Sequence, residues 1–294
     1  MISQHQNFTP DLAALVARQP SPLSAVDELT SIRSERQLRA SFKLTFTSGL
    51  ILKGRSFRTA ERCRMATLLL PYLEGLPVNA VIDSLGGSWL ETWIAGLGLT
   101  PADTTVELCR WAGDLLGRIH TLPVFEHKSG LPPTSVDDML NKLNSNLALL
   151  GSCAALSQTV VDRLRALAVS ERPLQASLGL THTDFTVENF VKDEGGNLHV
   201  IDNEHLSLGP LDYDVVRTLS RWPMTSTQRL AFLEGYDCHR DAGESQRNAV
   251  FWAVIGLAQS ARVRRLHNTP CDGALQALER LAAGQRHDLW PTLV

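Results

Sequence analysis

The chain has 294 residues, 44% of them hydrophobic and 20% charged, with a formal net charge of −3. That length buries a sizeable core as one large domain or two lobes, and the composition excludes a disordered chain or a coiled coil. The charge balance excludes a basic nucleic-acid footprint, since the densest basic cluster, Arg262, Arg264 and Arg265, ends an apolar helical stretch where cations suit the helix dipole.

Met1 to Gln19 lacks the basic start and apolar run of a signal peptide. The most apolar segment, Phe251 to Ala258, is too short to span a bilayer. Cys63, Cys109, Cys153, Cys238 and Cys271 are scattered and form no C-x-x-C pair. This argues against a disulfide framework or structural zinc and points to a reducing cytoplasm.

In chain order, Phe42 to Phe46 alternates side-chain type, Ser48-Gly49 supplies a turn, and Leu50 to Lys53 resumes an extended apolar run, predicting a β-hairpin. Arg58 to Leu73 has helical spacing, with Ala60, Cys63, Ala66, Leu69 and Leu70 able to share one face. Asn79 to Asp83 and Ser88 to Trp93 predict two further strands divided by Gly86-Gly87. This order implies an antiparallel sheet with one packed helix, and an α+β class. Beyond Gly96 the spacing is mainly helical, over 104–120, 136–150, 158–168, 244–266 and 274–282. One β-rich island interrupts it between Leu178 and Asp202, with apolar runs at 189–191 and 198–201 around the turn Glu194-Gly195-Gly196-Asn197.

Polar, ionisable residues flank both runs of that island. A loop carries His182, Asp184 and Asn189, a hairpin follows, and Asp202 ends an apolar strand. Two carboxylates and an amide brought to the ends of short strands suit phosphoryl transfer. One carboxylate takes the proton of an attacking hydroxyl, while the other and the amide oxygen hold magnesium against phosphates. The competing structural reading makes His182 and Asp184 a hydrogen-bonded pair and Asp202 a strand-end cap. Lysine is scarce, with only Lys43, Lys53, Lys128, Lys142 and Lys192, so Lys53 in an apolar strand needs a partner. Glu61, on the following helix, is the natural one; otherwise Lys53 snorkels and Glu61 is solvated.

H-x-D-x-x-x-x-N over His182, Asp184 and Asn189, followed by I-D at Asp202 and G-P-L-D-Y-D through Asp214, resembles the aminoglycoside phosphotransferase and choline kinase superfamily. The resemblance spans roughly residues 30–220 and implies a bilobal protein-kinase-like fold. Residues 1–93 would form a small nucleotide-binding N-lobe, and 94–294 a larger, mainly helical C-lobe with the catalytic loop and the substrate.

The same resemblance implies residue roles. Asp184 would be the catalytic base, His182 would brace its loop, and Asp214 would anchor that loop from the next helix. Asn189 and Asp202 would bind Mg2+. Lys53 would contact the α- and β-phosphates of ATP, held by Glu61, with GTP an alternative donor. Ser88 to Gly96 is similar to the strand-to-hinge stretch, where backbone groups near Glu91, Thr92 and Trp93 would bind adenine. Trp89 and Trp93 would line that slot or belong to the core. His120, near a helix end, reads as structural.

Three positions depart from the pattern. Ser34 to Ser41 has no glycine and so no G-x-G-x-x-G loop, leaving backbone amides, Ser34, Ser41, Arg36 or Arg39 to replace it. Asn203 follows the metal-binding aspartate where an apolar residue is usual, and Thr183 replaces a common glycine. The acceptor would be a hydroxyl of a sugar, an amino alcohol or an antibiotic. His205 to Val294 holds nine acidic and ten basic residues, no bias toward a polycation, although Glu188, Glu204, Asp212, Asp237 and Asp241 have the sign to cluster. The missing glycine loop keeps a nucleotide-binding module without catalysis as an alternative. The lack of D-F-G and A-P-E weighs against a protein kinase. Neither nucleic acid nor membrane is an expected partner, and oligomeric state is not readable.

Overall fold

The computed structural model describes residues 8–29, 40–124 and 130–286. The chain opens with α1 (Pro10–Ala17), β1 (Leu23–Glu28), β2 (Ala40–Phe46), β3 (Ile51–Ser56) and α2 (Ala60–Leu69). Next come β4 (Val81–Leu85), β5 (Ser88–Thr92), β6 (Gly96–Gly98), α3 (Val106–His120), α4 (Val136–Ser152) and α5 (Gln158–Ser170). The polar island contains β7 (Leu178–Thr181), β8 (Phe190–Asp193), β9 (Leu198–Val200) and β10 (Ser207–Pro210). Five helices follow: α6 (Leu211–Arg221), α7 (Ser226–Asp237), α8 (Gly243–Arg247), α9 (Ala249–Leu266) and α10 (Asp272–Ala282). The class is α+β, as expected. No helix among the described residues is long and apolar enough to cross a membrane.

The chain divides into two compact units, one comprising Met1–Leu99 with Asn189–Leu206, the other Thr100–Glu188 with Ser207–Val294. The first unit thus takes in residues 94–99 and 189–206 besides the expected 1–93. Its five-stranded antiparallel sheet has the order β1-β2-β3-β5-β4. The alternation read from 42–46 is real, since Phe42, Leu44 and Phe46 are buried on one face with Leu52 and Leu90. What covers that face is α1, through Leu12, Leu15 and Val16. The sequence reading assigned one packed helix, α2, and no helix before the sheet. Pro10 at the first helical position and the Thr9 cap, whose Oγ1 accepts from Leu12 N–H at 3.3 Å, are the start signals it left unread. Asp11 on α1 also accepts from the amide of Gly87 at 2.8 Å, tying the helix to the β4–β5 turn.

A second sheet in this unit, ordered β6-β8-β9, explains why a late segment belongs to it. Gly96 is opposite Asp193, so close that a Cβ there would overlap the Lys192 carbonyl. The short strand 96–98 therefore captures the β8–β9 hairpin, and with it Asn189 and Asp202.

The second unit is mainly helical around α9. Every residue from Phe251 to Ala258 is buried, so this helix is apolar all round and belongs to the core. The single helix expected over 244–266 is instead α8 and α9, parted at Asn248, whose side-chain amide donates to the Asp212 carboxylate at 3.4 Å. Helices α3 and α7 pack through two glycines. A Cβ on Gly113 would strike the Phe232 carbonyl, and one on Gly235 the Arg110 carbonyl. Gly113→Ala should therefore force the pair apart and lower stability by about 1–3 kcal/mol in urea titration, as overpacking does.

Candidate active site

In the first unit, Lys53 on β3 stands opposite Glu91 on β5 in register, and both side chains leave the same face. Lys53 Nζ lies 3.1 Å from Glu91 Oε1 and also pairs with Asp202 Oδ1. Arg55, two residues along and so on the same face, donates to Asp202 Oδ1 at 2.6 Å and pairs with Glu204. Side-chain exposure is 10% for Lys53, 3% for Arg55, 1% for Glu91 and 4% for Glu204, but 30% for Asp202. Buried charge is tolerated here because two cations alternate with three carboxylates.

Burial drives the Glu91 carboxyl above its ordinary range, against the pull of Lys53 and Arg55. For Arg55, burial alone would lower its proton affinity, but Glu204, Asp202 and Glu91 outweigh it and hold the guanidinium firmly charged. Asp202 sits in the left-handed region at φ 62°, two residues past the end of β9, which turns its side chain out of strand alternation. Asn189, 8% exposed, accepts the amide of Ile201 on its carbonyl at 2.9 Å, which brings the two backbones together.

Asp202 opens on a cavity of about 310 Å³ within this unit. Lys53, Arg55 and Asp202 form its charged end; Leu29, Ile94, Val191 and Ile201 supply apolar walls. Trp93, Thr92 and Ser41 are also among the lining residues, while Trp89 is fully buried against Phe57. An apolar slot ending in cations has the polarity of a nucleotide site.

In the second unit, the loop after β7 hangs on Asp214 of α6. His182 N–H and Thr183 N–H donate to its two oxygens at 2.6 and 2.8 Å, and His120 Nε2 lies 3.2 Å from Oδ2. His120 Nδ1 in turn meets the Tyr236 hydroxyl at 2.9 Å. Burial pushes the Asp214 carboxyl up, but the His120 bond, the nearby His120 and His182 rings and the His182 amide outweigh it, and the net shift is downward. Thr183 takes φ 59°, the conformation that makes glycine common there, and Arg217 donates to its carbonyl oxygen. His182 is fully buried, and its Nδ1 accepts from the amide of Asp184 at 3.3 Å. The Asp184 carboxylate, 26% exposed, pairs with Arg221.

A family model for the phosphotransferase enzyme family matches residues 29–247. The chain belongs to the phosphotransferase enzyme family. Solved structures show that this phosphotransferase has the kinase-like fold. A macrolide 2'-phosphotransferase from Brachybacterium faecium is 16% identical, with a TM-score of 0.64 over 91% of this chain and 97% of that one. A spectinomycin phosphotransferase solved with ADP and spectinomycin is 12% identical, with a TM-score of 0.63 over 93% and 97%. An ethanolamine kinase from Plasmodium vivax is 12% identical, with a TM-score of 0.63 over 89% and 84%. No curated protein matches the chain.

Several positions in this phosphotransferase differ from the sequence reading. Glu61 is not beside Lys53. It lies in the first turn of α2, where the helix dipole favours an acid, and its exposed carboxylate pairs with Arg64 at 3.0 Å. The partner is Glu91, which enters by its side chain and not through a hinge backbone. Strand β5 runs through Thr92, so the Glu91 and Thr92 backbones lie in a ladder between β3 and β4, and only Trp93 lies beyond it. Ser34, Arg36 and Arg39 lie outside the described residues. Asn203 donates to Asn79 Oδ1 at 2.7 Å, which explains a polar residue at that buried position.

Sequence reasoning weighed Glu204 only among the acids with the sign to cluster, and it missed Arg55, Arg217 and Arg221. Their signals were periodic, two residues along a strand from Lys53, and three and seven along a helix from Asp214.

Two measurements test these networks. Arg55→Met strands buried carboxylates and should cost about 3–5 kcal/mol in urea unfolding. Asp214 has a folded pKa below its unfolded value, so its contribution is complete above about pH 4 and is lost as pH falls through the lower folded value. Asp214→Asn should be less stable at neutral pH and should lose that part of the acid limb in stability titrations.

Proposed function

We propose that this phosphotransferase is an ATP-dependent kinase, with GTP as an alternative donor, acting on a hydroxyl of a small molecule. The observation that carries this reading is the cavity of about 310 Å³, apolar along its walls and ending at Lys53, Arg55 and Asp202. The spectinomycin phosphotransferase with ADP, and an aminoglycoside phosphotransferase also solved with ADP, support a nucleotide there. The relatives' acceptors are small molecules, among them spectinomycin and, for the kinase from Plasmodium vivax, ethanolamine.

Asn189 and Asp202 would hold magnesium. One carboxylate and one amide oxygen suit an ion that keeps phosphate and water oxygens in the rest of its shell. Among the described residues no group of three or more His, Cys, Asp or Glu forms a protein cage, and this ion does not need one. Bound there, it neutralises charge on the phosphates.

The chain's own residues do the rest. Lys53, kept in place by Glu91, aligns the α- and β-phosphates. Asp184 orients the acceptor hydroxyl and takes its proton as the oxygen attacks the γ-phosphorus and the bond to the β–γ bridging oxygen breaks. His182, Asp214 and Arg217 hold the loop that presents Asp184. The nucleotide is assigned to the first unit and the acceptor to the second. A cytoplasmic location suits the five cysteines, all free thiols.

Asp184→Ala should lower kcat for phosphate transfer by about 10²–10⁴-fold with nucleotide Kd little changed. Radiolabelled transfer and calorimetry measure the two quantities. Retained turnover with weakened ATP binding would count against the assignment.

A further inference from the structure

Arg221 lies in the last turn of α6, and its guanidinium pairs with the Asp184 carboxylate. The loop is already held by two other residues of the same helix, Asp214 through the amides of His182 and Thr183, and Arg217 through the Thr183 carbonyl. Arg221 goes instead to the carboxylate that the acceptor hydroxyl must approach. The pair is open to solvent, at 28% exposure for Arg221 and 26% for Asp184. An arriving hydroxyl therefore meets a fixed cation beside its base.

A guanidinium has N–H donors and no acceptor. The atoms next to the reactive hydroxyl must accept hydrogen bonds or carry negative charge. Paired with Asp184, Arg221 cancels the attraction that a bare carboxylate would offer an ammonium a few ångströms away, which is about ten- to a hundredfold in binding at an intermediate dielectric.

Three further acidic residues of this unit are engaged away from Arg221. Asp212 is buried and accepts from Ser245 Oγ at 2.8 Å, and Asp237 and Asp241 hold the amides of Ala242 and Gly243 at 2.7 Å each. These bonds tie Asp237 and Asp241 to the α7–α8 connection and Asp212 to the seat of α6.

We propose that Arg221 is a specificity-determining residue that selects an oxygen-rich, uncharged or acidic acceptor, such as a polyol, sugar or hydroxy acid. It disfavours amino alcohols and aminoglycosides. The inference rests on Asp184 being the base.

The test uses initial rates with magnesium–ATP for the full chain and for Arg221→Gln and Arg221→Lys. The acceptors are choline, its neutral isostere 3,3-dimethylbutan-1-ol, glycerate, glucose and kanamycin. In the unsubstituted chain, kcat/KM for the best uncharged or acidic acceptor should exceed that for choline and kanamycin by about tenfold or more. Arg221→Gln should shrink that ratio about tenfold, through KM more than kcat, and Arg221→Lys should keep part of it. Choline or kanamycin as the preferred acceptor, an equal loss for every acceptor in Arg221→Gln, or no turnover of any uncharged or acidic compound while magnesium–ATP binds would each overturn the proposal. Failure of the kinase reading itself looks different. Calorimetry would then show no magnesium–ATP binding, or Asp184→Ala would leave turnover intact.

Discussion

A carboxylate removed from water must recover its lost hydrogen bonds and countercharge, and both constellations in this chain are arranged around that need. Asp214, with no side-chain exposure, recovers them from two backbone amides and His120. Those amides belong to the loop that carries Asp184, so satisfying one buried charge determines where the exposed one points. In the first unit, Glu91 and Glu204 recover theirs from Lys53 and Arg55, and the same two cations reach the more exposed Asp202. The groups proposed for chemistry are thus the open ends of buried ionic networks.

Helix α6 shows how one periodicity serves several purposes. Asp214, Arg217 and Arg221 are three and four residues apart, so they lie along one side of the helix. They meet in turn the amides of the loop, its Thr183 carbonyl and the Asp184 carboxylate. A β-branched residue at φ 59° is strained. The bonds on both sides of Thr183, from its amide to Asp214 and from Arg217 to its carbonyl, hold that strained turn.

Much of this was legible in the chain because it depends on local order. The β2–β3 hairpin, the alternation of Phe42, Leu44 and Phe46, and the helices over 106–120, 136–152 and 158–170 follow from side-chain periodicity and caps. The loop residues His182 and Asp184 were recognisable from their spacing, whereas the dependence of that loop on Asp214 came from the family resemblance. Helix α1 escaped because it is short, eight residues, and its stability comes from the sheet it covers.

The sequence by itself determined which residue types lie near the ends of which short strands, because spacing along the chain carries that information. Only the tertiary structure decided which charges meet. Glu61 follows Lys53 on the next helix and was the obvious partner, yet the ammonium went to Glu91, because antiparallel register sets those two side chains opposite each other. Arg55 with Glu204, and Arg221 with Asp184, are likewise pairs between residues 149 and 37 positions apart in the numbering. Coulombic and hydrogen-bond partners are selected by distance in space after strands and helices have packed, and the order of residues along the chain does not contain that distance.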